Sequence, residues 1–355
     1  TYSKDGKIFL AISTDQGRDW NEILVTPAEE TLEQKDPSIV IDSKDNLHFV
    51  WQGKIENNPY WQIRYSKYEG STFELIDTLT PNPNRNQILP VISVDSKDTV
   101  WIAWVNDEMI RCPPNVNDVW CDYPEIHLLS LRENWQEPEG VVGGNDNYWI
   151  TSLSMAIDSQ DRIHLAWLGA SGAYNYAINY RQGPNPWSQV RKITTGEAPG
   201  QPVSIAIDSS GNAHIVWSSI GGYSDPNRAF RYSYLRYTNS KIWDSTTPIE
   251  LVVDDRHPID SPSIAIDASD RIGIVWKGVK DWQEKIFQIE GKEEVWQQAK
   301  ILFSGEGGEK SPNLLWSFHP TISGIKTNRP KSGYALIYYL GQDLNFYSSS
   351  DLTWE

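Results

Sequence analysis

One spacing recurs along this chain and limits what it can fold into. An alternating apolar stretch runs into an Asp, a short polar turn follows, a second alternating stretch begins, and a Trp stands nine residues after the Asp. The copies are residues 37–42 with Trp51, 90–95 with Trp104, 153–158 with Trp167, 203–208 with Trp217 and 262–267 with Trp276. A sixth, degenerate copy runs from Pro320 to Tyr339 with a longer turn. Successive Asp residues are 53, 63, 50 and 59 positions apart. Self-similarity at such a period marks a repeat architecture.

Each copy reads as a β-hairpin. Its arms are rich in Ile and Val and alternate with the period of a strand. Its turn is Asp-Ser-Lys-Asp-Asn at 42–46, with close variants at 95–99, 158–162, 208–212 and 267–271. Asp and Ser side chains bond the amides of such turns, and Asp, Asn and Gly tolerate their left-handed positions. Between these hairpins lies a second kind of unit, best seen as Ser13-Thr-Asp15-Gln-Gly17-Arg-Asp19-Trp20 and echoed from Ser66 to Phe73. Weaker echoes end at Trp135, Trp187, Trp243, Trp296 and Trp354. One period therefore holds four strands, and four-stranded units in a ring are propeller blades. The expected fold is all-β: a six-bladed β-propeller of four-stranded antiparallel blades over residues 1–355, one domain. Residues 1–27 carry a second-hairpin segment before any first hairpin, so N-terminal strands are expected to close the last blade. A seven-bladed ring is the alternative.

The segment at 13–20 resembles an Asp-box, the repeat motif of sialidases and related BNR-repeat propellers, with Asp19 where the family's motif usually has Thr. The resemblance covers the chain as architecture and implies a sialidase-like propeller. Asp-boxes lie at the blade periphery and recur in many propellers that are not sialidases, so they speak for fold. The family's catalytic set is an arginine trio, a Tyr/Glu nucleophile pair and an acidic Asp, announced by an Arg-Ile-Pro segment. The nearest approach here, Arg85-Asn-Gln-Ile88-Leu-Pro90, has a different spacing.

What repeats in every blade is expected to pack between blades, which covers the five Trp residues. The same holds for His48, His164 and His214, six residues after the repeat Asp; Trp101 and Gly273 replace them elsewhere. No metal site is expected from them. The Asp-rich turns at 42–46, 95–99, 158–162 and 267–271 offer only two carboxylates each, and the copy at 208–212 loses one of them to Gly211, whereas calcium takes six to eight oxygens. No cofactor is expected, with calcium at these turns the one alternative.

A ligand site is therefore sought among loop residues that do not repeat. Tyr60, Trp61, Tyr174, Tyr176, Tyr223 and Trp282 offer aromatic faces to sugar rings, and Asp107, Arg111, Arg228 and Asp281 offer polar partners. Carboxylate pairs for acid/base work could come from Asp36, Asp107, Asp225, Asp260 and Asp281, with no spacing to select among them.

The net charge of −16 argues against nucleic acid, which needs a basic footprint. No apolar stretch is long enough to span a bilayer, so membrane insertion is not expected. A monomer is favoured. Cys112 and Cys121, the two cysteines of the chain, flank a Pro/Asn-rich loop and are expected to form a disulfide, hence an extracellular or cell-surface location. The resulting expectation is a non-enzymatic extracellular module that recognises glycans or a partner surface through its loop face. The alternatives are a glycoside hydrolase or polysaccharide lyase on a sialidase-like propeller, and a structural propeller of a larger cell-surface protein.

Overall fold

The computed structural model describes residues 1–348 except 13–20, 28–30, 71, 75, 81–84, 108–109, 112–119, 123, 132–134, 136–137, 144–148, 171–175, 185, 195–201, 222–231, 245–247, 255–258, 281–282, 293–294, 305–320, 326–332 and 341–342. The chain divides into two compact units, residues 1–14 with 19–192, and residues 193–355 with 15–18. Both are built from antiparallel sheets whose successive strands are neighbours.

In the first unit, sheet I comprises Tyr2–Lys4, Lys7–Ile12 and Asn21–Leu24. Sheet II follows with Gln34–Ile41, Leu47–Ile55, Asn58–Glu69 and Thr72–Phe73, and Asp77–Thr78 also pairs with its third strand. Sheet III is Asn86–Val94, Val100–Asp107, Glu125–Leu131 and Glu139–Val142, and sheet IV is Trp149–Ile157, Ile163–Ala170, Tyr176–Gly183 and Arg191–Lys192. A short ribbon, Ile110–Arg111 with Trp120–Asp122, stands apart. In the second unit, sheet V is Val203–Ile207, Ala213–Gly221, Tyr232–Asn239 and Ile249–Asp254. Sheet VI is Asp260–Ile266, Ile272–Lys280, Gln283–Lys292 and Val295–Trp296, with Lys300–Ser304 beside the third strand. Sheet VII is Thr321–Ile325, Gly333–Leu340 and Asp343–Ser348. The six hairpins read from the sequence are the first two strands of sheets II to VII.

Within each unit, neighbouring sheets pack face to face, which explains why the second strand of a sheet is apolar on both sides. All eight residues of Ile163–Ala170 are buried. Alternation sends successive side chains to opposite faces. Val50 joins Ile92, Ile102 and Trp104 of sheet III, while Phe49 and Trp51 join Ile8, Leu10 and Val25 of sheet I. The repeated Trp always looks back to the preceding sheet within its unit. Trp104 packs on sheet II, Trp167 on sheet III and Trp276 on sheet V. All five are at most 2% exposed, as expected of packing residues.

The five Asp turns share one geometry. The Asp N–H bonds the carbonyl four residues on, as in Asp42 to Asn46 at 3.0 Å, and the fourth turn residue bonds back to the Asp carbonyl. That fourth residue is left-handed in every copy: φ is 65° at Asp45, 59° at Asp98, 61° at Asp161, 81° at Gly211 and 59° at Asp270. One carboxylate oxygen of the Asp accepts the amides two and four residues later, Lys44 and Asn46 at 2.9 Å in the first turn. The pattern recurs at Asp95, Asp158, Asp208 and Asp267.

A second device ties turn to turn. Ser43 donates its amide and hydroxyl to the two carboxylate oxygens of Asp98, at 2.9 and 2.7 Å. Ser96 grips Asp161 at 2.8 and 2.9 Å, and Ser209 grips Asp270 at 2.8 and 2.6 Å. The second turn residue of one sheet thus holds the fourth turn residue of the next. The first strands also carry β-bulges, where the residue before a proline is left-handed: Asp36 at 52°, Leu89 at 55° and Ser261 at 51°. The bulge amide of Leu89 is satisfied across the sheet boundary by Gln52 Oε1 at 2.8 Å.

Candidate functional site

Each sheet has two ends, and they differ in chemistry. At the end of the Asp turns the first Asp of each turn is spent on structure. The second carboxylate oxygen of Asp42 accepts from Asn46 Nδ2 at 2.8 Å and His48 Nε2 at 3.2 Å. His48 Nδ1 accepts from the Tyr65 hydroxyl at 2.7 Å. Asp158, His164 and Tyr180 repeat this chain, as do Asp208, His214 and Tyr237. One proton on Nε2 satisfies the whole chain, so the ring is fixed as a neutral tautomer. Burial lowers the pKa of all three histidines, with the Asp carboxylate opposing in part. Burial alone would raise Asp42, but the bonds from Asn46, His48 and Lys44 outweigh it and hold the carboxyl at about 2. Where His is absent, Trp101 Nε1 donates to Asp95 at 3.1 Å and Arg271 Nε to Asp267 at 2.8 Å. The histidines are structural, as read from their regular spacing. Among the described residues no group of His, Cys, Asp and Glu is arranged to hold a metal ion.

At the opposite end the framework repeats but its decoration does not. The residue paired with the core Trp on the third strand is Arg64 in sheet II, His127 in III, Asn179 in IV, Arg236 in V and Phe287 in VI. In sheet II, Trp51 Nε1 donates to Gln34 Oε1 at 2.8 Å, and Arg64 donates to the same oxygen at 3.2 Å. Gly53 leaves room for this network, since a Cβ there would lie 2.0 Å from that oxygen and displace the Gln34 side chain. In sheet III, Trp104 Nε1 donates to Gln87 Oε1 at 2.7 Å, and Gln87 Nε2 donates to Asn106 Oδ1 at 2.8 Å. His127 stacks on Trp104 at 5.7 Å and lies 3.0 Å from Glu125 Oε2 through Nε2. Glu125 is 42% exposed, so this carboxylate–imidazole pair faces solvent.

Trp61 lies at this same end of sheet II. Its N–H donates to Asn86 Oδ1 at 3.1 Å, and its neighbour Tyr60 donates its N–H to Asn58 Oδ1 at 3.0 Å. Lys35 Nζ stands 4.4 Å and Lys54 Nζ 5.0 Å from the Trp61 ring centroid. Lys54 also donates to the Pro59 carbonyl. Tyr60 is half-buried beside this group. Asp107 ends the second strand of sheet III, paired with Asn86. Tyr176 is 7% exposed and stacks along Trp149 at 6.5 Å within sheet IV. In the second unit a cavity of about 140 Å³ is lined by Asp254, Ile259, Trp276, Lys280, Phe287 and Ile301 among others. Asp260 stands 3.7 Å from Lys277 nearby in the chain. Tyr174, Tyr223, Arg228, Asp281 and Trp282, the side chain of Arg111, Asp225, the expected pairing of Cys112 with Cys121 and the segment 13–20 lie outside the described residues.

Sequence reasoning passed over Lys35, Lys54, Glu125 and His127. A signal existed for His127 alone: counted from the core Trp, the third-strand residue facing it varies among the copies.

No protein-family model matches the chain, and no curated protein matches it. Solved structures do. An α-L-arabinanase of Penicillium chrysogenum, complexed with arabinobiose, is 11% identical over 99% of this chain and 98% of its own, with a TM-score of 0.55. An ulvan lyase from a new polysaccharide lyase family is 9% identical over 88% of this chain and 78% of its own, with a TM-score of 0.54. A Hadza microbial sialidase is 11% identical over 89% of this chain, with a TM-score of 0.53. The chain spans 65% of that sialidase's length. The fold is that of a β-propeller. At such identity the likeness is one of fold, and the four-stranded sheets are its blades.

Proposed function

We propose that this chain is an extracellular glycan-recognising β-propeller, engaging saccharide at the blade end opposite the Asp turns. The observation that carries the reading is the chemical asymmetry of the two ends. At the Asp-turn end the repeated carboxylates are bound up in the turns, while the other end varies among the blades and offers an aromatic–cationic group on one blade and a carboxylate–imidazole pair on another. Non-repeating side chains on a rigid repeat are where recognition resides. The proteins that share the fold include a sialidase, a polysaccharide lyase and an arabinanase, which lends the reading support. A glycan-array screen of the purified chain tests it, with binding expected. Absence of binding to every glycan sinks it.

A second reading, a glycoside hydrolase or polysaccharide lyase, is favoured by the Glu125–His127 pair. A solvent-facing carboxylate 3.0 Å from an imidazole is equipped to move a proton. Turnover of the bound glycans, followed by reducing ends and by unsaturated products, separates the two readings. The enzyme reading expects Glu125→Gln to lower kcat at least about a hundredfold while binding persists. The binding-module reading expects no turnover from the unaltered chain.

A further inference from the structure

The cluster around Trp61 carries more than a general affinity for sugar. Lys67 and Lys97 stand beside carboxylates, Glu69 at 2.6 Å and Asp161 at 3.1 Å. Lys35 and Lys54 do not. Among the described residues neither ammonium lies within ion-pair distance of a carboxylate, although both converge on one indole. An indole face attracts a cation but leaves its charge intact. The ring therefore gathers two like charges that repel each other and holds them ready for an anion.

The surroundings narrow the anion's carrier. Asn57 turns the chain at φ 63°, which brings the second and third strands of this blade back beside each other. Asn58 and Asn86 spend their amide oxygens on the N–H groups of Tyr60 and Trp61, which directs their nitrogens elsewhere as donors. Two ammonium groups with two neutral amide donors match an anionic substituent flanked by hydroxyls.

Resting on the glycan reading above, we infer that Lys35, Lys54 and Trp61 form a subsite for an acidic glycan, binding a carboxylate or sulfate carried on a sugar ring. The ammonium groups donate to the anion's oxygens as point charges. Trp61 holds both ammonium groups within 5.0 Å of its ring centre, so its role here is to position cations.

The test compares oligogalacturonate, a carboxylate glycan, κ-carrageenan oligosaccharides, a sulfate glycan, and neutral arabino-oligosaccharides, by titration calorimetry on the full chain. The variants are Lys35→Gln with Lys54→Gln, the matching pair of Lys→Arg changes, and Lys44→Gln. Lys44 lies in an Asp turn at the opposite end and serves as the charge control. At least one acidic glycan is expected to bind, with affinity falling as salt rises from about 0.05 to 0.3 M. The double Gln variant weakens that binding at least about tenfold. The Arg pair retains most of it, Lys44→Gln leaves it unchanged, and thermal melts confirm that all variants fold. Carboxylate and sulfate are told apart by which probe responds. Acidic glycan bound equally well by the double Gln variant overturns the subsite. Binding of neutral glycan alone also overturns it while leaving the glycan reading in place. Binding of none overturns the subsite, and the glycan reading falls with it only when the glycan array is empty too.

Discussion

Asp158 shows how much one repeated side chain does. Its carboxylate is 1% exposed and accepts from the amides of Gln160 and Arg162, from Arg162 Nε and from His164. Burial alone would raise its pKa, and these bonds reverse that and hold it low. Asp158→Ala leaves a buried imidazole and two turn amides without their acceptor, so a loss of about 3 kcal/mol is expected in urea unfolding. Glycan affinity is expected to stay unchanged, since the residue sits at the opposite end from the candidate site. The Asp and its turn role were legible in the sequence. Its grip on the side chain six residues later was not, because a spacing of six says nothing of a strand folding back on its own turn. A clue was present: where position six is His, position four is Asn or Arg, and where it is Trp, position four is Thr. Trp61 and Tyr60 were legible as non-repeating aromatics. The lysines over Trp61 were not, since Lys35 comes from the first strand of the sheet and Trp61 from the third, and only pairing through the second brings them near.

At the scale of strands and turns, the hairpins could be read because Ile/Val alternation ends at an Asp turn in every copy. The bulges before Pro37, Pro90 and Pro262 could not, because proline preferences place the preceding residue in extended backbone, yet Asp36, Leu89 and Ser261 are left-handed. Local preference gives way there to sheet packing, which buries the bulge amide of Leu89 against Gln52. The Ser–Asp links between successive turns are partly exposed, so each is worth less than a buried pair. Ser43→Ala and Ser96→Ala are each expected to cost about 0.5–1 kcal/mol. The two links join different pairs of sheets and share no partner, so the double variant should show the sum. A markedly larger loss in the double variant would mean that the links act through one another.

For the molecule as a whole, these buried groups set the response to acid. The three turn histidines are held neutral, with pKa values below the ordinary 6.5. Above that pH they are neutral folded and unfolded. Below it the unfolded chain takes up protons that the folded chain refuses, and stability falls. The carboxyls of Asp42, Asp98, Asp158, Asp161 and Asp208 are held below their ordinary 3.8. Their stabilisation is present above 3.8 and is lost as pH falls through the lower folded values. Thermal melts are therefore expected to decline in two stages, beginning below about pH 6.5 and again below about pH 4. Replacing His48, His164 and His214 by Gln should abolish the first stage and leave the second. A single acid transition in the unaltered chain would contradict this assignment.

The Ser–Asp link is written within five consecutive residues, with the donor at the second and the acceptor at the fourth. A stretch of chain cut at equivalent points of two successive turns therefore carries one complete set of couplings, whatever its loops at the other end contain. Such a stretch could be duplicated or exchanged without redesigning its joints. Two turns lack one half of the coupling: Gly211 has no carboxylate to offer and Ala268 has no hydroxyl. Those positions mark where the chain's modular grammar lapses, and where grafted blades would be hardest to join.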